Sequence, residues 1–82
     1  VTLRIALEEF SQLFESETTS VGLVRLRATL SQSAGGADRL LAQRSFVIQR
    51  PSSTADAAGG VRALTAATDA AIAELAAWVQ QH

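Results

Sequence analysis

The sequence predicts an α+β fold of two layers, β-β-β-α: an antiparallel meander with one C-terminal amphipathic helix on one face. Three observations predict it. Apolar residues alternate with a period of two through three stretches between Val1 and Pro51. Polar or glycine-rich segments separate those stretches. After Pro51, the only proline, the period changes to about 3.6.

The first stretch, residues 1 to 10, places Val1, Leu3, Ile5 and Leu7 on one face and Thr2, Arg4, Ala6 and Glu8 on the other, a strand with one buried face. The alternation slips at Glu8-Glu9-Phe10, where one extra residue, a β-bulge, flips the facing of the residues after it. "SQLFESETTS" ends the apolar signal at Leu13 and Phe14 and reads as a loop. In "VGLVRLRATL", Val24, Leu26, Ala28 and Leu30 face in, while Leu23, Arg25, Arg27 and Thr29 face out. "SQSAGGAD" is a turn in which Gly35-Gly36 supply positive φ values.

The third strand, "LLAQRSFVIQRPS", aligns Leu40, Ala42, Phe46 and Ile48, with Arg44 in the same inward register. Pro51 closes it, because proline donates nothing to a ladder. In the helix, Val61, Leu64, Thr68, Ala71, Ile72, Leu75 and Val79 form one stripe. Ser53 and Asp56 have the spacing of a capping box. Gly59-Gly60 weaken the first turns, so the firm helix runs from Val61 to Gln80, ~30 Å. That length matches a strand of nine or ten residues, as for a helix laid along a sheet.

Eighty-two residues make one small domain or a piece of a larger one. The 48% apolar content supports a core and argues against disorder. Without cysteine there is neither a disulfide nor thiolate chemistry. A net charge of −1 gives no long-range attraction to nucleic acid or anionic membrane, although all seven basic residues are arginine. Val1 opens inside an apolar alternation with no initiator Met, signal peptide or transmembrane run. We therefore expect the interior or C-terminal part of a longer precursor.

Chemistry-bearing residues are sparse. His82 is the single histidine and sits at the last position, a poor platform for catalysis or for a metal. Glu8 and Glu9 are adjacent, so they point to opposite faces of a strand. Pairing of Glu8 with Arg25 or Arg27 is their expected use. The glycine pairs fit no phosphate-binding loop, there is no lysine, and no G-x-S-x-G elbow occurs. Arg4, Arg25 and Arg27 share the open face but lack the aromatic platforms of nucleic-acid-binding sheets. We expect no catalytic, cofactor-binding or metal-binding residue, no enzyme and no nucleic-acid partner. Trp78, beside Leu75 and Val79, is expected to pack at the sheet edge, with recognition as a second role. Arg44 is expected to snorkel past the helix end or to pair with a carboxylate, Glu9 being preferred because the bulge turns it inward.

"LRIALEEFSQLFES", "VRLRATL", "LLAQRSFVIQRPS" and "ADAAGGVRALTAATDAAIAELAAWV", in this order and spacing, resemble the C-terminal half of the ABC-type transport auxiliary lipoprotein family, partners of MCE lipid-transport systems. The "EEF" bulge, the "LAQRSF" strand and the terminal helix with its late tryptophan are the most characteristic elements. The resemblance implies a non-enzymatic component of intermembrane lipid trafficking on the periplasmic side of the outer membrane. It implies an N-terminal lipid anchor and partnership with an MCE-family protein and ABC transporter components. The family offers no catalytic motif to carry over, and the lipid-bearing cysteine lies outside this sequence. Two other classes are a generic adaptor that docks partners through a sheet edge and an enzyme whose catalytic residues lie upstream. In each case the edge of the first strand, which has neither proline nor lysine, is expected to self-associate or to pair with the missing N-terminal half.

Overall fold

A computed structural model describes residues 1–82. Three long strands, β1 (Thr2–Phe14), β2 (Ser20–Ala34) and β3 (Ala37–Pro51), are followed by one helix, α1 (Ala57–Gln80). The sheet is antiparallel in the order β1-β2-β3, with α1 on one face. The α+β, two-layer β-β-β-α expectation is met. The molecule is long and thin, 55 × 19 × 15 Å, because 15-residue strands reach ~50 Å and a 24-residue helix ~36 Å. The tip of the β2–β3 hairpin therefore outruns the helix, and residues 32–41 are all exposed.

Each strand is longer than its apolar alternation indicates. β1 continues through Gln12 to Phe14, in the segment expected to be a loop. Gln12 faces the helix opposite Gly22, and its amide donates to the Asp56 carbonyl at 2.9 Å and to Ser20 Oγ at 3.1 Å. A polar side chain with two partners satisfies an inward position, which hydropathy alone does not reveal. The true turn is shorter: Glu15 and Ser16 N–H donate to the Thr19 carbonyl, and Ser16 Oγ accepts from Thr18 and Thr19 N–H. At the other hairpin, Gly35 and Gly36 have φ of +60° and +83° and join Ala34 to Ala37 directly. Two positive φ values are what a tight type I′ hairpin requires.

Two bulges set the facing. Glu8 is the extra residue of β1: Leu7 pairs with Leu26 and Glu9 with Arg25. The expected slip is present. It keeps Leu3, Ile5, Leu7 and Phe10 on the helix face and puts Glu9 on the other. A second bulge, not apparent in the alternation, lies in β3: Leu30 pairs with Ala42 and Ser31 with Leu40. Ala42, Arg44, Phe46 and Ile48 thus share the helix face, and Leu40 does not; it is largely exposed.

The helix begins at Ala57, earlier than expected. Its N-cap is Asp56, whose carboxylate accepts from the Gly59 N–H at 2.7 Å, so Ser53 does not form the cap. The face turned to the sheet carries Gly59, Gly60, Ala63, Ala67, Ala71, Leu75 and Trp78. Of the expected stripe, only Ala71 and Leu75 are buried; Ile72 is 54% and Val61 64% exposed. Small residues win the interface because the helix lies close. A Cβ on Gly22 would stand 2.9 Å from the Ala63 carbonyl carbon and the Leu64 nitrogen.

Two clusters make the core. Ala28, Leu30, Phe46, Leu75 and Trp78 form one, and Val24, Ile48, Ala67 and Ala71 the other. Phe46 and Trp78 meet edge to face, centroids 6.0 Å apart. The opposite face carries the expected polar residues together with Leu13, Val21, Leu40 and Val47 and, on the central strand, Leu23. That side chain is buried between Ser11 and Gln49 on the central strand, where both flanking strands cover it.

Candidate docking surface

One helix, ~10 Å across, covers about two strands spaced ~4.8 Å apart. Here α1 lies over β2 and β3 and barely touches β1. The apolar row of β1 is therefore left without a roof: Ile5 is 51% and Phe10 53% exposed, and Leu3 and Leu7 are exposed as well. Between this row and the flank of the helix runs a groove. One section, about 250 Å³, is lined by Ile5, Leu7, Phe10, Val24, Leu26, Thr68, Ile72 and Leu75. The next, about 300 Å³, shares Phe10 and Thr68 and adds Val61, Leu64, Thr65 and Asp69.

The helical stripe expected to be core is thus largely the wall of this groove. Val61, Leu64, Thr68, Ile72 and Leu75 all line it. The sequence period is sound, but the stripe is rotated from the sheet centre toward β1. A largely apolar groove of this kind, with Thr65, Thr68 and Asp69 as its polar lining, is suited to receiving an apolar helix face, a side-chain row or an acyl chain. It holds no nucleophile–base pair, and Asp69 is its only titratable group.

Beside the groove, β1 is also an edge of the sheet. Its 13 residues contain neither proline nor lysine, so the bulge at Glu8 is the main feature interrupting the edge. On the open face, Glu8 and Arg27 form an ion pair at 3.1 Å, one of the two pairings expected. Arg4 and Arg25 share this face, opposite Thr29 and Glu9 respectively, and neither makes an ion pair.

Arg44 does not pair with Glu9. The two lie on opposite faces of the sheet, with the central strand between them. Arg44 stays in the inward register opposite Ala28, but its exposed side chain lays the guanidinium carbon 4.9 Å from the centroid of Phe46. The snorkelling expectation holds, with a cation–π contact in place of a carboxylate. β3 is an edge strand, and a charge in this register opposes edge-to-edge association there.

Trp78 is buried in the core against Phe46, and its burial removes it from the second role, recognition. His82 packs on Trp78, ring centroids 5.1 Å apart. No group of three or more His, Cys, Asp or Glu side chains is placed to hold a metal ion, and no helix is long and apolar enough to cross a membrane. The Asp56 carboxyl has its pKa lowered, first by the Gly59 N–H and next by the Thr54 hydroxyl, which donates at 2.7 Å. It caps a helix and faces no cavity.

The groove was missed at the level of sequence because its lining reads as core. The signal that could have found it is the excess of apolar stripes: three inward-facing strand rows and one helix. No family model, curated protein or solved structure matches the chain.

Proposed function

We propose that this chain is the C-terminal half of a non-enzymatic auxiliary lipoprotein of an MCE-type ABC lipid-transport system. In this reading it acts on the periplasmic side of the outer membrane, held there by a lipid anchor upstream of this segment. The observation that supports it most is the open groove: a component that works by docking needs apolar surface kept accessible, and needs no reactive group. Ile5, Leu7, Phe10 and Ile72 provide such a surface. The resemblance carried by the four sequence segments supplies the family, and the MCE protein and the transporter components are the partners it implies.

The bare β1 edge favours a second reading, a general adaptor that binds partners by strand addition. One experiment separates the two. The gene product that carries this chain is expressed with radiolabelled palmitate, the membranes are fractionated, and the protein is purified after mild cross-linking. An acylated product in the outer-membrane fraction that brings down an MCE protein is the expected result. A product without an acyl group that captures neither MCE protein nor transporter subunit overturns the lipoprotein reading and leaves the adaptor.

A further inference from the structure

We propose that β1 pairs with the β1 of a second copy of this chain, antiparallel, about a two-fold axis at Ala6. Arg4, Ala6 and Glu8 all lie on the open face of the edge strand: Arg4 is opposite Thr29, Ala6 is opposite Arg27, and Glu8 bonds Arg27. Arg4 has no carboxylate partner within the chain. With Ala6 on the axis, Arg4 of each copy stands opposite Glu8 of the other, so two complementary charge pairs form at once. On the helix face the same register sets Ile5 against Leu7, extending the floor of one groove into the next. The smallest side chain of the row falls at the axis, where two identical residues meet.

Neighbouring registers lose these matches. Moving the axis two positions toward the N-terminus sets Arg4 against Arg4, a like-charge contact. Moving it one position either way leaves Arg4 opposite Ala6 or opposite Phe10. Glu8 is the extra residue of the bulge, so regular pairing ends at Leu7, and Glu8 meets Arg4 of the other copy by sharing its carboxylate with Arg27. The interface is short and the dimer dissociates readily. Isologous pairing of this kind is closed and leaves no further β1 edge. The proposal stands whether or not the lipid-transport reading holds.

The absence of cysteine makes the test direct. In the Ala6→Cys variant, two thiols meet across the axis at a cross-strand Cα spacing of about 4.5–5.5 Å, within disulfide reach. Under mild oxidation it should form a covalent dimer at least about tenfold faster than Ser45→Cys, an exposed position on β3. Arg4→Glu and Glu8→Arg should each weaken self-association about tenfold in sedimentation, and the double reversal should restore it. Folding of each variant is checked by circular dichroism. Equal cross-linking rates at the two cysteine positions, or a double reversal no better than the singles, overturns the pairing. An upstream strand or another protein seated on β1 gives that same negative result when the longer gene product is used.

Discussion

Gly22 is the position where a single methyl group decides the distance between the layers. Its missing Cβ would meet backbone atoms of Ala63 and Leu64, which cannot rotate away. At Gly60 the obstacle is the end of the Gln12 side chain, which can move if its bond to the Asp56 carbonyl is given up. Alanine also regains about 0.5–1 kcal/mol over glycine in a helix or a strand, so the order of the two variants is decided by what each Cβ meets. Gly22→Ala should therefore cost about 1–3 kcal/mol through forced separation of helix and sheet, and Gly60→Ala clearly less. Denaturant unfolding of the two variants checks the order. Asp56 gives a second residue-scale expectation. A carboxyl whose pKa is lowered by folding contributes stability above its ordinary value near 3.8 and loses it as pH falls through the lowered value. Asn caps a helix as well as Asp but does not titrate. The margin of the native chain over Asp56→Asn should therefore shrink as pH drops below the ordinary value. Thermal unfolding of both proteins from near-neutral pH to below the carboxylate range reads it, and a margin independent of pH contradicts the cap.

At the scale of elements, the helix has two apolar faces with different fates. Leu75 sits in the core with Phe46 and Trp78, whereas Ile72, three residues earlier, is half exposed on the groove wall. Leu75→Ala should cost 2–5 kcal/mol, of the order of the whole stability of so small a domain. Ile72→Ala should cost about 1 kcal/mol or less, since much of its surface is wet already. Equal losses would mean that the helix is rotated so that Ile72, too, meets the sheet. This pair also shows what a sequence can and cannot disclose. The existence, order and type of all four elements follow from period and punctuation, and the β1 bulge and the glycine turn are visible as a slip and a doublet. Which helical stripe touches the sheet is not visible, because it is decided by closeness of approach. Gly60, Ala63 and Ala67 win that contact by being small, which a stripe traced through the larger apolar residues passes over. Gln12 escapes notice for a related reason: its two hydrogen bonds come from segments 8 and 44 residues away.

For the whole molecule, one helix on three strands is an incomplete second layer. The surplus apolar row of β1 gives the groove, and the same geometry leaves the β1 edge open beside it. The candidate site was legible only as its parts, since the stripe over Val61, Leu64, Thr68 and Ile72 and the row over Ile5 and Leu7 each look like core in isolation. Their exposure is a property of the layer count. The most direct test replaces single residues by cysteine in this cysteine-free chain and measures thiol labelling of dilute native protein. Ile72→Cys and Phe10→Cys in the groove should label within about tenfold of an unstructured thiol, while Ala67→Cys, beneath the helix, should be slower by orders of magnitude because it labels only through opening. Groove positions as protected as Ala67→Cys would contradict an open groove, and with it the docking surface proposed for this chain.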